Sequence, residues 1–152
     1  MKKLDIRKLE PSEFPYDLLY LADPAEDVVE DYLLRGTCYG GFLDGNLIGE
    51  FVLLPTRPFT IELINLAVDE AFEGKGFGKQ LVKYAIETAR QQGYRIIEVG
   101  TGDAGIGQLA LYQKCGFTMT HLDINFFRRH LPEPIFENGI ELRHMVRMKI
   151  DL

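Results

Sequence analysis

The chain has 152 residues, 46% of them hydrophobic, with a formal net charge of -6 and a pI near 5.1. That size and apolar content suit one domain spanning residues 1–152 around its own core. The acidity argues against nucleic acid as the main partner, because that binding rests on dense Lys and Arg, and it suits a cationic substrate.

The N-terminus, MKKLDIRKLE, is basic but is followed by no apolar run, and no segment reaches the length of a membrane span. No membrane partner is expected, and the location expected is cytoplasmic. Cys38 and Cys115 have neither metal-ligand spacing nor disulfide density, so both read as free thiols and no metal is expected.

Leu4, Ile6 and Leu9 suggest a first strand. A helical patch from Glu13 to Leu21 follows, with Phe14, Leu18 and Leu21 on its inner side, and then a second helix from Asp23-Pro24 to about Arg35, burying Val28, Val29, Tyr32 and Leu33. The second helix carries Glu26, Asp27, Glu30 and Asp31, which read either as a solvated face or as an acidic rim that attracts an amine. Thr37 to Leu43 and Leu47 to Leu54 are strand-like runs joined by Asp44-Gly45-Asn46, a tight hairpin turn, with Pro55 and Pro58 closing the second run. Phe59 to Val68 is nearly continuous in apolar residues and reads as a central strand interrupted by Glu62 and Asn65.

From Gly76 to Gln92 the apolar residues follow helical spacing, and Gly93 is the stop. Arg95 to Val99 is a further strand, so strand, helix and strand here imply a right-handed crossover and a parallel pair. A short helix from Ile106 to Cys115, a strand from Phe117 to Ile124 and a long connection rich in Phe and Pro come next. The final run, Ile140 to Ile150, alternates and reads as one strand with His144 on its apolar face, a satisfied core residue; it is also a candidate edge for a homodimer. The fold class expected is α/β (α+β): a mixed, mostly antiparallel sheet with one parallel βαβ crossover and helices on both faces.

Two glycine patterns compete for attention. In the first, Gly74, Gly76 and Gly78 stand between a strand and a helix start, where glycines let backbone amides approach a ligand and the helix N-terminus favours negative charge. It is one residue short of a Walker loop, and Gln80 stands where a magnesium-binding hydroxyl is needed, so phosphate contact must come from amides without a metal. In the second, Gly100, Gly102 and Gly105 form a literal GxGxxG after a strand, with Asp123 placed as a dinucleotide fold would want. In a doubly wound fold that loop follows the first strand, and too little chain remains here to complete such a sheet.

EGKGFGKQL at Glu73 to Leu81 and ALYQKCGF at Ala110 to Phe117 together resemble the GNAT superfamily of acetyl-CoA-dependent N-acetyltransferases, over about Leu4 to Ile150. The resemblance implies acetyl-CoA as co-substrate, its pyrophosphate on the amides of Glu73, Gly74, Lys75, Gly76, Phe77, Gly78 and Lys79. It also implies that the pantetheine arm pairs along Leu66, Ala67 and Val68, where strands splay and an amide stabilises the thioester oxygen. Glu73 departs from the usual Gln or Arg, and Gly105 stands where many members carry Asn, so Asp103 is a substitute contact to the cofactor arm.

The acceptor expected is a primary amine of a small molecule or peptide, attacking the thioester directly. An alkylammonium must first lose a proton. Glu62 is the candidate base, placed by strand alternation on one face with Val68, the alternative being a structural pair with an Arg such as Arg57. Tyr112, which resembles the family's conserved segment, is the candidate donor to the leaving sulfur, the alternative being packing. Cys115 reads as packing. Asp123 to Phe136 is a candidate wall for the acceptor pocket, with Phe126, Phe127 and Phe136 as either lining or satellite core. A non-catalytic acyl-CoA sensor would keep the glycine loop and dispense with the base and acid.

Overall fold

The computed structural model describes residues 2–152. Strand β1 (Asp5–Lys8) is followed by helices α1 (Tyr16–Ala22) and α2 (Glu26–Arg35), then by β2 (Thr37–Leu43), β3 (Asn46–Arg57) and β4 (Thr60–Val68). Helix α3 (Phe77–Gln91) leads to β5 (Ile96–Gly102), α4 (Ile106–Lys114), β6 (Thr118–Asp123) and α5 (Phe126–His130). A small hairpin of β7 (Phe136–Glu137) and β8 (Ile140–Glu141) precedes β9 (Met145–Asp151).

Seven strands form one sheet in the order β1-β2-β3-β4-β5-β9-β6. The β4–β5 pair is parallel and every other neighbouring pair is antiparallel, so the mixed sheet with one crossover is as expected. Alternation along β3 separates two cores. Phe51 and Leu53 pack with Leu81, Val82 and Ala85 of α3, while Val52 and Leu54 pack with Leu19 of α1 and Val29, Tyr32 and Leu33 of α2. The β2–β3 turn needs left-handed backbone at two residues, which Asp44 and Gly45 supply (φ 49 and 83).

Four local expectations change. In α1 the buried residue is Leu19, and Leu21 is exposed, because the helix starts only at Tyr16 and its inner face is rotated. Val28 of α2 is exposed too. The continuous strand from Ile140 to Ile150 is broken: Ile140 and Glu141 pair with Phe136 and Glu137, and the sheet strand begins at Met145. Finally, β9 lies between β5 and β6, so the sheet's edges are β1 and β6, and the last strand is not a free edge for a dimer.

The change that matters most for the site is a bulge in β4. Val52 of β3 stands opposite Asn65, but Leu53 stands opposite Leu63, which leaves Ile64 as the extra residue. An extra residue reverses the phase of alternation. Glu62 therefore shares a face with Leu54, towards α1 and α2, whereas Val68 stands opposite Gly49 and packs on the α3 side. Glu62 and Val68 are on opposite faces of the sheet, not on one.

Candidate functional site

β4 and β5 pair only over Thr60–Ile96 to Leu63–Val99. Beyond that point β4 stays with β3 and β5 stays with β9, so the two strands fork. The Asp69 amide donates to the Ile48 carbonyl of β3 at 2.8 Å. Counting back along the antiparallel ladder, the amide of Ala67 turns to β3 as well, and those of Leu66 and Val68 turn to the open side of the fork. The fork thus presents a strand edge that no other strand covers.

Below the fork lies a cavity of about 700 Å³. Glu62 and Leu66 of β4, Gly100 to Gly102 of β5, Tyr112 of α4 and Arg147 of β9 border it, and the segment from Leu21 to Tyr32 closes the opposite wall. Phe126, Phe127, His130, Leu131 and Ile135 form another side, so the long connection does line the cavity, although Phe136 lies exposed outside it. The acids of α2 do not border it: Asp31 pairs with Arg35, and Glu30 accepts from Tyr20.

Glu62 makes a two-pronged ion pair with Arg147, with Nη1–Oε2 and Nη2–Oε1 both at 3.3 Å and side chains 15% and 20% exposed. The Arg57 considered as its partner instead binds Glu98 at 2.7 Å. Tyr112 is 5% exposed and its hydroxyl finds no partner among the described residues. Burial pushes its phenol well above the usual tyrosine value, so it stays protonated and available as a donor.

Ahead of α3 the chain makes a backbone cradle. Gly74 and Gly76 have φ of 73 and 85, which L side chains rarely adopt, and Gly76 is the residue before the helix. The first amide of this helix with an acceptor is that of Gln80, which bonds the Gly76 carbonyl. The amides of residues 74–79 meet no protein acceptor among the described residues. Six consecutive free donors at a helix N-terminus, next to the C-terminal end of β4, are a fitting seat for a pyrophosphate. The Glu73 side chain is exposed, and Lys75 lies over the Phe72 ring at 5.7 Å. Gln80, in place of a magnesium-binding hydroxyl, accepts from the Leu4 amide and donates to the Lys2 carbonyl, tying the N-terminal strand to α3.

The second glycine pattern is a different object. Gly100 and Gly102 are inside β5, with backbone that any residue can adopt. A Cβ at Gly100 would collide with Met145 and stand 2.6 Å from Arg147 Nη1, and one at Gly102 would collide with Leu142. These glycines make room for side chains of the cavity wall. Asp103 Oδ1 accepts from the Arg143 amide at 3.0 Å, holding the start of β9, and neither Asp103 nor Gly105, which precedes α4, borders the cavity. His144 is half-buried and outside β9, and its Nδ1 accepts from the Asn125 amide at 2.9 Å.

Asp23, Gln108, Met145 and Arg147 are site residues that sequence reasoning did not single out. Only Arg147 carried a signal: a charged residue on the polar side of an alternating strand. Among the described residues no group of three or more His, Cys, Asp or Glu is placed to hold a metal, and no helix is long and apolar enough to cross a membrane.

Residues 4–117 match the family model for the acetyltransferase (GNAT) family. Over 137 residues, 90% of this chain and 88% of the other, the sequence is 56% identical to an uncharacterized N-acetyltransferase, YvbK, of Bacillus subtilis (strain 168). The fold superposes on a Bacillus subtilis acetyltransferase in complex with CoA at a TM-score of 0.95, with 53% identity over 99% of each chain. It also superposes on a GNAT family acetyltransferase of Elizabethkingia anophelis with acetyl-CoA bound, at a TM-score of 0.97, with 40% identity over 100% of both chains.

Proposed function

The chain belongs to the GNAT acetyltransferase family and is an acetyl-CoA-dependent acyltransferase, and from that premise we propose that it acetylates a primary amine of a small molecule or peptide by direct attack on the thioester. One observation carries this reading: Glu62 and Tyr112 border the same cavity, with Glu62 at the point where β4 and β5 part.

In this mechanism the amides of residues 74–79 hold the pyrophosphate and the unpaired edge of Leu66, Ala67 and Val68 receives the pantetheine arm. The thioester oxygen gains charge as the amine attacks, and the Leu66 or Val68 amide faces it. Glu62 takes the proton that frees the amine's lone pair, its carboxylate kept in place by the Arg147 fork. The C–N bond then forms and the C–S bond breaks. The Tyr112 phenol gives its proton to the departing sulfur, and the second proton lost by nitrogen restores the phenol. The buried phenol serves this role because it is still protonated at neutral pH. Asp103 remains a less favoured contact to the cofactor arm, since its carboxylate already accepts from Arg143. The unpaired thiols of Cys38 and Cys115 accord with a reducing compartment such as the cytoplasm.

The test is acetyl transfer to a panel of primary amines, read by release of free thiol. Glu62→Gln and Tyr112→Phe are each expected to lower kcat by about 100-fold or more while CoA binding stays unchanged. Unchanged transfer in both variants would remove these two residues from the chemistry.

A further inference from the structure

The wall facing the β4–β5 fork holds a carboxylate that the mechanism above does not use. Asp23 lies between α1 and α2 and borders the cavity. Its Oδ1 accepts from the Ala25 amide at 3.1 Å, and its Oδ2 accepts from the Tyr32 hydroxyl at 3.3 Å. The Tyr32 oxygen in turn accepts from Asn65 Nδ2 at 2.8 Å, and the same nitrogen donates to the Leu19 carbonyl at 3.0 Å. Asp23 is therefore tied through a buried tyrosine to β4, one residue before Leu66. Its position is set by the strand that carries the reaction centre.

No cation answers this charge among the described residues. Glu62, another half-buried acid of the cavity, has Arg147, but Asp23 enters no ion pair among the described residues. Burial raises the Asp23 carboxyl above its usual value, and nearby Asp27 adds to the shift, while the hydrogen bonds from Ala25 and Tyr32 favour the charged form. A fixed, partly desolvated carboxylate without a counter-ion, facing a cavity, is a receptor for an ammonium. Leu21, Val28, Phe126, Leu131 and Ile135 also line the cavity and offer apolar surface to methylene groups, alongside the polar Thr101, Gln108, His130 and Glu137.

We propose that Asp23 anchors a second, non-reacting ammonium of the acceptor, so that the acceptor is a diamine whose apolar spacer lies along the cavity. This rests on the amine-acetylating reading above. Asp23 is assigned the non-reacting nitrogen by place: it belongs to the α1–α2 connection, whereas Glu62 is on β4, the strand that carries Leu66, and a protonated amine has no lone pair to attack with. It suits a group that keeps its charge throughout, while deprotonation takes place at Glu62.

Binding separates the anchor from the chemistry. Calorimetry on the CoA-loaded protein would compare putrescine, cadaverine and their shorter and longer homologues with the matched monoamines. At least one diamine is expected to bind about tenfold more tightly than its monoamine, and Asp23→Asn should erase that preference while CoA affinity and melting temperature stay as in the wild type. The wild-type comparison stands by itself if the variant fails to fold. The proposal is overturned if no diamine in the series outbinds its monoamine, or if Asp23→Asn keeps the preference. An Asp23-dependent diamine that binds but is never acetylated would leave the anchor standing and remove the amine-transfer reading instead.

Discussion

The two glycine-rich stretches look alike in the sequence and do opposite things in the fold. At residues 74–78 the glycines are needed for backbone shape. Gly74 and Gly76 take left-handed φ, and a Cβ at Gly74 would meet nothing within 4 Å, so that glycine serves conformation and not packing. At Gly100 and Gly102 the backbone is ordinary strand and the space is filled by Met145, Arg147 and Leu142. One set of glycines frees amides and the other frees volume. A glycine motif thus identifies a ligand loop only when its φ values and its unpaired amides agree.

Substitutions at the two stretches should fail in different ways. Among the glycine substitutions, the largest effect on transfer is expected from Gly100→Ala. Its Cβ displaces the flexible ends of Met145 and Arg147, so the protein should fold near wild-type stability, yet the Arg147 fork leaves Glu62 and kcat falls by about 10- to 100-fold. Steady-state kinetics beside a thermal melt would check this; a normal kcat would mean that the fork is dispensable. Gly76→Ala should cost about 1–3 kcal/mol of stability, because alanine resists a φ of 85. Denaturant melts read that value directly.

A third variant probes β3, the neighbour of the strand that feeds the first loop. Glu50 stands opposite Ala67, is 0% exposed, and both of its carboxylate oxygens lack a partner among the described residues. Burial raises its pKa well above the usual carboxylate range in the folded state. Its contribution to stability is thus full below the unfolded value of about 4.3 and is lost as pH rises through the folded one. Glu50→Leu should be about 1–3 kcal/mol more stable than wild type near neutral pH. The gap should narrow towards pH 5, and a gap that is flat with pH would show that Glu50 does not titrate. The smallest effect is expected from Glu73→Gln. Removing a negative charge beside the phosphate seat should tighten CoA about two- to fivefold at low salt, and the gain should fade as salt is added.

What could be read from the sequence was local. The cradle was legible because a left-handed turn before a helix calls for glycine within a few residues. Strand and helix identities were legible through periodicity, as in the apolar stripe of α3. The partner of Glu62 was not, because it lies 85 residues away and depends on which β9 residue faces Gly100. Nor was the face of Glu62, since one extra residue at Ile64 reverses the alternation and no residue type announces a bulge. Alternation from Ile140 to Ile150 continues through a break that only the β7–β8 pairing reveals. Asp23 is a helix-start aspartate like many others until Tyr32 and Asn65 are seen to hold it.

Residues 74–79 are assigned the phosphates of CoA, and the fork of β4 and β5 its arm. Isothermal titration of CoA and of pantetheine, which lacks those phosphates, into wild type and Gly76→Ala tests this most directly. The expected result is a loss of about tenfold or more in CoA affinity, with pantetheine unaffected. Equal affinity of the variant and wild type for CoA, or an equal loss for both ligands, would contradict the assignment.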